Sequence, residues 1–231
     1  MLDMLNRAST QRGVSLVELM VGIAVGFALA MVITQVFVNQ VVGNTNMLKE
    51  TRLNQELRAI MDLAVRDIRR GGYWGNAISG AWYDGSPGVA TNPLNSITVG
   101  DTVNPAAATS GSSVGYSYDV NGDGTIDDAE NFTIRLTGSV VELVQGITSP
   151  TTTSLSDPGT TTITALTFTI APATVGIACV VAGSNPALTV RKITIALTGR
   201  LADDATVTRS MQETGRVRTD YIVGACPPIA S

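Results

Sequence analysis

The sequence contains no histidine and only two cysteines, Cys179 and Cys226. Without imidazole there is no Ser-His-Asp or Cys-His catalysis and no histidine acid–base pair. Two thiols cannot build a thiolate zinc cage. Charged residues are sparse at 15%, aromatics make up 5%, and Lys+Arg (15) is outnumbered by Asp+Glu (19), for a net charge of −4. A chain with no basic excess lacks the overall electrostatic footprint of a nucleic-acid binder. No nucleophile–base pair, phosphate-cradling loop or catalytic metal constellation stands out, so an enzyme is not expected. At 44% hydrophobic the chain is too apolar for a disordered protein and too polar for a multi-spanning one.

The apolar residues are concentrated at the N-terminal end. Residues 1–13 are polar, with Arg7 and Arg12 set against Asp3. The run from Val14 to Val38 follows, and Leu19 to Val38 carries no charge. As a helix at ~1.5 Å per residue, that run spans about 30 Å, the thickness of a bilayer hydrocarbon core. Arginines precede it and no basic residue follows before Lys49, so the positive-inside rule places residues 1–13 in the cytoplasm and the bulk of the chain outside it. The run is too long for a signal-peptide core, and no A-x-A-like site follows. Glu18, at its edge, is costly in an apolar helix unless it has a partner; the alternative is solvation at the headgroup level.

Arg12-Gly13-Val14-Ser15-Leu16-Val17-Glu18-Leu19 resembles the processing motif of type IV prepilins and pseudopilins. The resemblance implies that a membrane aspartic peptidase cuts after Gly13, that Val14 becomes the methylated new N-terminus, and that Glu18 is the fifth mature residue. Family members usually carry Phe or Met where this chain has Val14. Cleavage would expose a cationic α-amino group, with Glu18 about one helical turn further on. In a low-dielectric filament core, the amine of one subunit and the carboxylate of its neighbour satisfy each other. Removing either leaves a buried unpaired charge, at about 3–5 kcal/mol. Glu18 then serves as a register device for assembly. Gly22 and Gly26 form a GxxxG, which permits close helix approach but is also common in membrane helices.

From residue 44 the pattern turns amphipathic. Leu53, Leu57, Ile60, Ala64 and Ile68, widened by Met61 and Val65, form one apolar face, and Gly71-Gly72 stops the helix. Gly43-Asn44 marks a weak point between the two halves. The stretch Met61 to Gly75, in which Asp-Ile-Arg-Arg runs into Gly-Gly-Tyr-Trp-Gly, is similar to PilW-like minor pilins. Tyr73, Trp74, Trp82 and Tyr83 read either as packing of the first loop on the helix end or as a partner-docking patch.

The remainder predicts a β-rich head. Strands are expected at 132–136, 139–144, 166–170, 193–197 and 206–218, with polar loops at 100–115, 149–162 and 182–186. Asp119 to Glu130 reads DVNGDGTIDDAE. Against a 12-residue calcium loop, Asp119, Asn121, Asp123, Thr125 (through its carbonyl), Asp127 and Glu130 take the ligand positions and Gly124 the turn. The flanks look like strands, so this is either a structural calcium loop closing a β-hairpin or an ordinary Asn-Gly or Asp-Gly turn with solvated acids. In an extracytoplasmic head a Cys179–Cys226 disulfide is expected, worth about 4 kcal/mol by loop closure; two unpaired thiols are the alternative.

The expected architecture is therefore α+β: the type IV pilin fold, with a long N-terminal helix packed on an antiparallel sheet head. Expected segments are a leader at 1–13, a transmembrane or filament-core helix at 14–43, its amphipathic continuation at 44–72 and the head at 73–231. The resemblance implies a minor pilin of a type IV pilus, with roles in assembly, motility or adhesion. Its expected partners are the prepilin peptidase/N-methyltransferase, other minor pilins and the major pilin. Its expected place is the inner membrane with a periplasmic head, and then the pilus. The nearest rival is a minor pseudopilin of a type II secretion system; a membrane-anchored adhesin that never assembles is a third reading.

Overall fold

A computed structural model describes residues 13–77, 92, 94–179 and 186–223. The chain divides into two units, Met1–Leu48 and Lys49–Ser231. One helix, α1 (Leu16–Arg70), contributes to both. Within the first unit its side chains are exposed, including Leu19, Ile23, Phe27, Ile33 and Phe37. By length and composition this helix can cross a membrane. Backbone hydrogen bonding continues through the Gly43-Asn44 position, where the sequence suggests a weak point.

The second unit begins with the amphipathic part of α1. Its buried residues are Leu53, Leu57, Ile60, Met61, Ala64, Val65, Asp67 and Ile68. Apart from Asp67, this is the apolar face legible in the sequence. Spacings of three and four keep these residues on one side, and the helix ends at the two glycines that follow Arg70. Gly72 N–H donates to the carbonyl of Ser117 at 2.8 Å, turning the chain onto the sheet.

The strands are β1 (Ile97–Val99), β2 (Thr102–Val103), β3 (Thr109–Gly111), β4 (Ser113–Ser117), β5 (Asn131–Thr137), β6 (Val140–Gln145), β7 (Thr151–Ser154), β8 (Thr161–Gly176), β9 (Ala187–Leu201), β10 (Thr208–Arg216) and β11 (Tyr221–Val223). They form two antiparallel sheets where a single sheet was expected. One has six strands in the order β2-β1-β4-β5-β6-β7; the other has the order β10-β9-β8-β3, with β11 also on β9. The α+β layout, with one long apolar N-terminal helix and antiparallel sheets, is the one expected.

The register explains the core. Leu166 faces Leu197, Phe168 faces Ile195, and Ile170 faces Ile193 across β8 and β9. All six are buried. They join the helix face, and Val114, Tyr116, Ile134 and Val141 of the other sheet, in one apolar cluster. Burying each large side chain contributes about 1.5–3 kcal/mol before the entropy of ordering is subtracted. Gly199 of β9 sits where an added Cβ would meet Leu57 Cδ2 at 3.0 Å, so helix and sheet approach closely there.

Two expected loops contain strands. The 100–115 stretch holds β2, β3 and the start of β4, and the 149–162 stretch holds β7. These strands are short, and β7 is exposed at all four positions. With Thr, Ser and Gly in place of alternating apolar residues, their pairing comes from neighbouring strands and leaves no periodic trace. Glu56 of α1 fastens the loop before β8: its carboxylate accepts from Asp157 N–H at 2.8 Å and from the Thr161 hydroxyl at 2.6 Å.

Candidate functional site

The residues expected to be processed lie at the start of α1. Gly13, Val14 and Ser15 precede the helix in non-helical backbone, and all three are exposed. No heavy atom beyond its chain neighbours lies within 4 Å of where a Gly13 Cβ would be. A peptidase needs an accessible, unwound peptide bond, and Gly13–Val14 supplies one. The Ser15 carbonyl accepts the Leu19 N–H at 3.0 Å, closing the first turn. Ser15 is therefore the N-cap residue, and Glu18 stands three positions on, in the first turn. There the helix dipole favours a carboxylate. Ser15-x-x-Glu18 also has the spacing of a capping box.

In the head, β4 and β5 pair antiparallel from Ser113↔Arg135 to Ser117↔Asn131. The acidic stretch closes this hairpin, flanked by strands as its neighbours suggested. Asp119 is buried, and its carboxylate organises the loop. It accepts from the N–H of Gly122 at 2.5 Å and from Gly75 and Gly124 at 2.9 Å each. Glu130, also buried, accepts from Val120 N–H at 2.7 Å and from Asp127 N–H at 3.1 Å. The Asn121 amide donates to Asp123 at 2.8 Å and to Asp127 at 3.4 Å. Asp123 accepts from both the N–H and the hydroxyl of Thr125. Asn121, Asp123, Asp127 and the two buried acids thus share one hydrogen-bonded loop. Among the described residues, no three acidic or thiol side chains converge as a ready-made metal cage. The donor set itself, carboxylates with an amide and a carbonyl, is the hard-oxygen kind that calcium takes.

Burial pushes the Asp119 carboxyl up, but the Gly75, Gly124 and Gly122 N–H groups outweigh it and leave its pKa below the ordinary 3.8. Thr125 lowers Asp123 through its N–H and hydroxyl. The N–H groups of Thr148, Ile147 and Ser149 lower Asp128, so this acid fastens the loop after β6.

Trp74 is buried, and its indole N–H donates to the Gly124 carbonyl at 2.7 Å. It packs the first loop against the hairpin, the packing alternative considered for this aromatic cluster. Tyr73 is exposed. Trp82 and Tyr83 lie outside the described residues, as does Cys226; Cys179 follows the end of β8.

Two buried polar side chains escaped the sequence reading. Asp67 lies within the apolar stripe of α1 and faces the Tyr116 hydroxyl at 3.5 Å. Burial, and then the Asp67 carboxylate, push the Tyr116 phenol far above its ordinary pKa. Arg191 is fully buried on β9 and donates to the Asn95 carbonyl at 2.9 Å, Asn104 Oδ1 at 3.0 Å and the Thr219 carbonyl at 2.8 Å. Its odd-number parity with Ile193, Ile195 and Leu197 was the available signal, since those positions face the core.

No curated protein and no solved structure matches the chain. A family model described as prepilin peptidase-dependent protein B matches residues 46–217, most of the chain and nearly all of the described head. The match begins beyond Glu18, so it is independent of Gly13, Val14 and Glu18. The chain therefore belongs to the prepilin peptidase-dependent protein B family, PpdB.

Proposed function

We propose that this protein is a minor pilin of a type IV pilus, a structural subunit and not an enzyme. It is made as a prepilin, held in the inner membrane by the apolar part of α1 with its head in the periplasm, cut after Gly13, and methylated on Val14. The carrying observation is the placement of the exposed, unwound Gly13–Val14 bond directly before a helix that has Glu18 in its first turn and no charge from Leu19 to Val38. A head of the PpdB family supports the same reading from residues that do not overlap the motif. The prepilin peptidase acts on the N-terminal end; other minor pilins and the major pilin are the partners in assembly. Glu18 pairs with the amine of a neighbouring subunit. Glu18→Ala should be processed normally yet be lost from sheared filaments, and its normal incorporation would contradict the proposal. A minor pseudopilin of a type II secretion system shares the motif and the helix. It predicts instead that deletion abolishes secretion and leaves pili intact.

The acidic hairpin carries a separate proposal, structural calcium held by Asp119, Asn121, Asp123, the Thr125 carbonyl, Asp127 and Glu130. Its support is the oxygen donor set and ligand-type spacing. Calorimetric titration of the detergent-solubilised chain tests it. Heat at millimolar calcium that is lost in Asp123→Ala supports the site; no heat, with the thermal stability of the parent chain unmoved by calcium, removes it.

A further inference from the structure

Arginines from two parts of the head line a common groove. Arg66, Arg69 and Arg70 lie on the last turns of α1 at spacings of three and four, so they share a face. Arg218 reaches the same groove from beyond β10. With Asp62 and Glu213 they border a cavity of about 340 Å³. A second hollow of about 370 Å³ shares Arg70 and Arg218 and adds Tyr73, Tyr118, Asp119 and Val120. Arg66 pairs with Asp67 at 3.5 Å. Arg69, Arg70 and Arg218 are exposed and make no ion pair among the described residues.

The negative end of the helix dipole favours cations in its last turn, which accounts for part of the attraction to Arg69 and Arg70. It does not account for Arg218, which comes from another segment and adds a like charge. In a chain of net charge −4 this concentration of guanidinium is a local exception. We propose that the groove receives a carboxylate-bearing peptide segment of a neighbouring subunit. Guanidinium forks match carboxylates in a bidentate way. Asp62 and Glu213 in the wall would repel the fixed charge of a polyphosphate backbone, whereas carboxylates on flexible side chains can settle on the guanidinium groups away from the two acids. The proposal rests on the reading of the chain as an assembling subunit.

The test is fluorescence anisotropy of labelled hexaglutamate with the detergent-solubilised full chain at about 10 mM salt, where screening is weak. Oligo-dT of equal length and inorganic phosphate are run beside it, and the chain's N-terminus is read by mass spectrometry on the same preparation. Saturable hexaglutamate binding is expected. Arg70→Ser and Arg218→Ser should each weaken it by about fivefold, the order of one solvent-exposed charge pair. Arg135→Ser, at an exposed position of β5 that lines neither hollow, should leave it unchanged. Folding of each variant is checked by thermal melting, and the two groove variants stand in for each other if one fails to fold. No saturable binding, equal loss in Arg135→Ser, or tighter capture of oligo-dT or phosphate than of hexaglutamate overturns the proposal. If the chain is cut at Gly13 and binding is absent, this inference fails alone; if it stays uncut in cells with an active prepilin peptidase, the subunit reading fails whatever the groove binds.

Discussion

The indole N–H of Trp74 donates to the carbonyl of Gly124 at 2.7 Å, joining the segment that leaves the long helix to the acidic hairpin loop. The two residues lie far apart in sequence, and the contact makes the Tyr-Trp-Gly motif and the DVNGDG loop one structural unit. Gly75 N–H reinforces it by donating to Asp119. Trp74→Phe keeps most of the apolar volume and removes the donor, leaving a carbonyl unsatisfied. A loss of about 1–2 kcal/mol is expected in urea denaturation of the solubilised chain.

Gly124 and Gly122 separate two effects in one loop. Both have left-handed backbone, with φ of +81° and +79°. An added Cβ at Gly124 would lie 2.6 Å from Asn76 Cβ, whereas at Gly122 nothing lies within 4 Å. Gly122→Ala should cost only backbone strain, about 1–2 kcal/mol. Gly124→Ala should cost clearly more and should also disturb Trp74 fluorescence. Equal losses at the two positions would contradict the close approach of Asn76.

The acids of the hairpin predict an acid-sensitive head. Asp119, Asp123 and Asp128 all have folded pKa values below the ordinary 3.8. Each therefore binds its proton more tightly when unfolded, so the stability it contributes is complete above that value and is lost as pH falls through the folded one. Denaturation midpoints should be flat above about pH 5 and fall below about pH 4. Asp119→Asn should be less stable than the parent at neutral pH, and the two curves should converge in acid. Parallel curves would show that the Asp119 charge contributes nothing.

Much of this was readable in the residues because burial imposes a period. The stripe Leu53, Leu57, Ile60, Ala64 and Ile68 and the strands around Phe132, Phe168 and Ile195 announce themselves, since one face of each must be apolar. Division of the head into two sheets was not readable. It depends on which strands neighbour one another, and short polar strands such as Thr109–Gly111 carry no pattern of their own. Buried Asp67 and Arg191 were hidden for a related reason: their partners, Tyr116, Asn95, Asn104 and Thr219, come from distant segments. The prepilin-like motif from Gly13 to Glu18 is legible because it is a linear pattern that needs no folding to be seen. The groove arginines were visible as part of a charged helix face, but only folding brings Arg218 to them.

The central claim is that the Gly13–Val14 bond is cut to give a subunit whose new amine pairs with a neighbour's Glu18. Its most direct test is the N-terminal residue of the protein recovered from membranes in the presence of an active prepilin peptidase, read by mass spectrometry. The account predicts a chain starting at N-methylated Val14, and an uncut chain when Gly13 is replaced by a bulky residue. A chain that still carries Met1 to Gly13, while a control prepilin in the same cells is processed, would contradict it.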